Sequence, residues 1–87
     1  MIKIQIKNKE ELRLLVGITM LTVEEANRYG IKVGDIIASY WGFSRVVEIP
    51  KNPEGLCMLE KVAYADNLTV WTDECRAQTV LKRRGDC

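Results

Sequence analysis

The chain has 87 residues, 13 Lys+Arg against 12 Asp+Glu, a net charge of +1 and 47% apolar residues. These values describe a single small globular domain, 1–87, and exclude a disordered chain or a strong global field for nucleic acid or membrane. There is no histidine, which removes Ser-His-Asp and Cys-His catalysis, His-ligated zinc and a histidine pH switch.

Ile2, Ile4 and Ile6 alternate with Lys3, Gln5 and Lys7, the period of a half-buried strand. Two readings compete after Asn8. As a helix, Asn8 caps with Glu11 at the N3 position, and Leu12, Leu15 and Val16 share a face. As a strand, Leu12, Leu14, Val16, Ile18 and Met20 are consecutive apolar even positions. The strand matches more residues and Gly17 disfavours a helix interior, so the spacing predicts a hairpin.

Thr22-Val23-Glu24-Glu25 reads as a helix start, with Thr22 as N-cap and Glu25 three residues on. Gly30 supplies a left-handed C-terminal position, and Ile31 folds back onto Val23 or Ala26. Val33-Gly34-Asp35 turns into a strand, Ile36 to Trp41. Gly42 reverses the chain and Phe43 to Ile49 returns. Pro50 to Gly55 is a breaker-rich loop. Leu56 to Tyr64 and Leu68 to Thr72 read as strands around an Asp66-Asn67 turn. Asp73 to Arg76 reads as one helical turn capped by Thr72, Thr79 to Lys82 as a last strand, and 83–87 as a loose tail. The expected fold is mainly β with one short helix. It is a small β-barrel or strongly curled antiparallel sheet, SH3-like or cradle-loop-like, whose closure would hide strand edges.

Thr22 to Ile37, TVEEANRYGIKVGDII, with Ile18-Thr19-Met20 before it, resembles a segment of swapped-hairpin, AbrB-type DNA-binding proteins. It is also similar to the half-motif of double-psi and other cradle-loop barrels. Leu21 stands where the AbrB-type pattern has proline. The resemblance covers about a third of the chain and implies a fold feature. As a helix-turn-helix, the same stretch would need a second helix over 34–41, which offers no Arg, Lys, Asn or Gln to base edges.

Cys57, Cys75 and Cys87 are an odd set without CxxC spacing. They predict no disulfide framework, no metal site and no cofactor, with Cys57 and Cys75 as small apolar fillers. The start lacks a signal-peptide core and no apolar run is long enough to span a bilayer, so the expected location is the cytoplasm and no membrane partner is expected. Asp35, Asp73 and Glu74 lack an accompanying nucleophile or phosphate loop, which argues against an enzyme. The expected function is a non-catalytic binding module, an adaptor, accessory or inhibitor protein. Its protein partner would be met by the aromatic hairpin Tyr40, Trp41 and Phe43 with Arg45. The alternative is a nucleic-acid-binding regulator using Arg76, Lys82, Arg83 and Arg84. A homo-oligomer is compatible with either.

Overall fold

Asn8 decides the first ambiguity for the helix. Its side chain accepts from Glu11 N at 3.0 Å and closes a short helix, α1 (Lys9–Leu12). The computed structural model describes residues 1–18, 20–39, 42–63 and 69–85. Around α1 stand β1 (Ile2–Gln5), α2 (Val23–Tyr29), β2 (Ile36–Ser39), β3 (Gly42–Glu48), β4 (Met58–Val62), β5 (Thr69–Thr72) and α3 (Glu74–Arg84). The strand expected over 12–20 is replaced by α1, the turn after it and an isolated parallel bridge from Ile18 to Ser39.

The α2 signals act as expected. Thr22 Oγ1 accepts from Glu25 N at 3.1 Å and donates to Glu25 Oε1 at 3.0 Å. Gly30 sits at φ 70°, and Ile31 N donates to Ala26 O at 2.8 Å. Ile31 is then buried with Val23 and Ala26, as a Schellman ending requires.

The sheet overturns the barrel. Its five strands run in the order β1-β5-β2-β3-β4, an open mixed sheet with β1 and β4 at opposite edges. β5 enters between β1 and β2, antiparallel to the first and parallel to the second. This α/β arrangement is neither closed nor strongly curled. The reason lies in how β2 is buried. Ile36, Ile37, Ala38 and Ser39 are all buried, the mark of a central strand covered on both faces rather than a half-exposed barrel stave. On one face Ile4, Ile36, Ala38, Phe43 and Val70 pack with Leu12, Leu15, Ala77 and Val80, bringing in α1 and α3. On the other face Ile37 and Val46 pack under Leu21, Val23, Ala26, Ile31 and Cys57.

The largest correction is α3. Asp73, not Thr72, is the N-cap and accepts from Arg76 N at 2.8 Å. Ala77 and Val80 turn inward and Gly85, at φ 81°, ends the helix. Thr79 to Lys82 is therefore helical although Thr79 and Val80 are β-branched. The three-residue spacing of the buried positions, the cap and the basic last turn outweigh local β propensity. Arg83 and Arg84 complete the helix, and 86–87 lie outside the described residues. Burying Val80 stabilises by roughly 1.5–3 kcal/mol and packs α3 against the sheet.

Candidate functional site

The β2–β3 ladder closes at Ser39 opposite Gly42, with Ser39 Oγ donating to Gly42 O at 2.8 Å. Tyr40 and Trp41, the centre of the expected contact surface, lie outside the described residues. Phe43, opposite Ala38 and Val62, is only 7% exposed and belongs to the core under α1. Arg45 shares its sheet face two residues on but lies exposed, with Nη1 3.7 Å from Glu60 Oε2 across the β3–β4 ladder. The hairpin thus splits into a core residue and a surface cation.

The four basic residues named for nucleic acid are placed by α3. Arg76 Nε donates to Val16 O, fastening the start of α3 to the loop after α1. Arg84 turns inward to Glu11. Lys82 and Arg83 lie exposed on the last turn. Arg76 and Lys82 are ~9 Å apart along the helix axis. The fold therefore does not collect all four on one exposed surface.

Three further residues come together that the sequence reading placed only as strand positions. Cys57 N donates to Leu21 O at 2.9 Å and Val23 N to Gly55 O at 3.1 Å, around an antiparallel bridge between Thr22 and Leu56. Leu21 and Cys57 point into the core, so Leu56 points out, and Met20 and Met58 flank the inward pair on the outward side. Met20, Leu56 and Met58 are 55%, 54% and 57% exposed. The sequence signal was the apolar-flanked Leu56-Cys57-Met58, whose alternation cannot say which side meets solvent. The Cys57 thiol on the inward side is pushed up by burial, and further by the nearby Glu25 carboxylate.

Asp35 has its own structural work. Its Oδ2 accepts from Lys32 N at 2.9 Å, closing the turn before β2, and from Trp71 Nε1 at 3.1 Å. Among the described residues, no three His, Cys, Asp or Glu side chains are grouped closely enough to hold a metal ion. No helix there is long and apolar enough to cross a membrane.

No protein-family model matches the chain, and neither a curated protein nor a solved structure matches it significantly. The helix, glycine turn and strand of the AbrB-like stretch are present as α2, Gly30 and β2, but they feed an open sheet rather than a swapped hairpin or a barrel. The helix-turn-helix alternative fails too, because its second helix is β2.

Proposed function

We propose that this chain is a non-catalytic binding module for a protein partner, acting as an adaptor, accessory or inhibitor protein in a reducing cytoplasm. The observation that supports this reading most directly is the outward row of Met20, Leu56 and Met58. Isolated exposed apolar side chains are ordinary, but neighbouring ones mark contact surfaces. Methionine adapts its shape to a partner at low cost. Arg45, exposed in the middle of β3, with Tyr40 and Trp41 outside the described residues, is the second candidate contact. The two sets share no residue, so they are separable by mutation.

The test compares the chain with its Leu56→Ser/Met58→Ser variant as bait in native lysate, each with and without nuclease. The expected result is one protein retained after nuclease and lost by the variant, with the urea midpoint of the bait unchanged. Retention that survives the double substitution overturns the Met20–Leu56–Met58 row as the contact. Loss of retention on nuclease treatment overturns the protein-partner reading in favour of nucleic acid.

A further inference from the structure

Charge is unevenly distributed over this nearly neutral chain. Residues 7–14 and the last turn of α3 carry Lys7, Lys9, Arg13, Lys82, Arg83 and Arg84, six of the 13 Lys+Arg. The same stretches hold two of the 12 Asp+Glu, Glu10 and Glu11. The remainder, including Asp86 outside the described residues, has an acidic excess. Pairing of Glu11 with Arg84 leaves five cations against Glu10. One end of the molecule is therefore distinctly cationic.

Two clefts open at this end, one on each side of α1. The larger, about 350 Å³, is lined by Lys7, Asn8, Glu10, Leu14 and Arg83 together with the Glu11–Arg84 pair. The smaller, about 230 Å³, has Leu12, Phe43 and Ala63 beneath Lys9 and Arg13. The first offers cations beside a shallow polar hollow. The second offers a cationic rim and an apolar floor whose accessible part is Ala63, since Leu12 and Phe43 are only 2% and 7% exposed. The helix between them is ~10 Å across with its side chains, a span that about three residues of extended chain cover.

We propose that this corner docks an acidic, extended segment of a partner protein, with carboxylates at Lys7 and Arg83 and an apolar side chain against Ala63 in the smaller cleft. The segment would carry the apolar residue about three positions from an acidic one. Charge complementarity selects the sign of the ligand, and the apolar floor selects its class. A free phosphate or a nucleic-acid backbone would use the cations and leave that floor empty. This corner is distinct from the Met20–Leu56–Met58 row and is tested separately from it.

The isotope-labelled chain is titrated with an acidic nonapeptide carrying one leucine three residues from a glutamate, and amide chemical shifts are followed. Parallel titrations use the all-Gln counterpart, inorganic phosphate and a thymidine oligonucleotide. The expected result is saturable shifts confined to Lys7 to Leu14, Phe43, Ala63 and Arg83, weakened by salt and absent with the Gln peptide. Lys7→Gln/Arg83→Gln should weaken binding about five- to tenfold, whereas Leu56→Ser/Met58→Ser should bind unchanged. Saturation of the same amides by phosphate or oligonucleotide at lower concentration overturns the proposal. So does the absence of saturable shifts, or equal binding by the Lys7/Arg83 variant.

Discussion

Arg84 Nε stands 2.9 Å from Glu11 Oε1, with side chains 14% and 8% exposed, so a largely buried ion pair joins the last turn of α3 to α1. The other Glu11 oxygen accepts from Lys7 N at 2.9 Å, and Arg84 Nη1 reaches Gln5 O at 3.4 Å. One carboxylate and one guanidinium thus tie β1, α1 and α3 together at the chain's two ends.

Removing one member should leave the other charge without its partner. Glu11→Ala is expected to cost about 3 kcal/mol, near the lower end for broken buried pairs. Replacing both, as Glu11→Leu/Arg84→Met, removes both desolvated charges and should recover most of that loss. Urea unfolding of the three chains measures this. A double variant as unstable as Glu11→Ala would mean that packing, not charge, fastens the helices.

Legibility in the sequence followed the range of the interactions. The ends of α2 were plain because Thr22, Glu25, Gly30 and Ile31 satisfy one another within ten residues. The Ile36 and Phe43 strands were also plain, since a glycine turn and short-range pairing define them. The position of β5 was not, because parallel pairing of Ile36 with Val70 depends on a distant crossover that leaves no local mark. In α3, Ala77 and Val80 at helical spacing between Asp73 and Gly85 were readable, but the β-branched Thr79-Val80 drew the reading to a strand. Asn8 and Glu11 carry a local cap signal, but the alternation from Leu12 to Met20 spans more residues and points to a strand. The outward turn of Met20, Leu56 and Met58 depends on the 21–57 pairing, which no local pattern announces.

Gly30 provides a clean backbone test. At φ 70° it lies in the left-handed region, and an added Cβ would meet nothing within 4 Å. Gly30→Ala should therefore destabilise by about 1 kcal/mol through conformation alone. Gly30→Asn should cost less, because asparagine tolerates that region better. Equal urea midpoints for wild type and Gly30→Ala would contradict a left-handed helix ending.

Cys57 and Cys75 should differ in both reactivity and pH behaviour. Cys57 is buried and Cys75 exposed on α3. A thiol-reactive dye should label Cys75 rapidly in the folded chain and Cys57 only as the fold opens. Burial raises the Cys57 thiol above its ordinary value of 9.0, so the folded chain holds that proton more tightly than the unfolded one. The resulting stability is fully present below pH 9.0 and is lost as pH rises from there through the folded-state value. Cys57→Ala should flatten that part of the stability profile. An unchanged slope would show that other groups cause it.

Thr72 offers the opposite experiment, in which removing a polar group should help. It is fully buried on β5, in register with Ile2, and its Oγ1 has no hydrogen-bond partner among the described residues. A buried hydroxyl left without a partner costs about 1–3 kcal/mol. Thr72→Val keeps the β-branched shape that suits a strand and exchanges the hydroxyl for a methyl group. Urea unfolding should show a gain of about 1 kcal/mol. Thr72→Ser separates polarity from packing, because it retains the hydroxyl and removes the methyl. Serine should lower stability while valine raises it. If valine instead destabilises the chain, the hydroxyl is hydrogen-bonded in solution, and Thr72 contributes a polar contact beside the Asp73 cap.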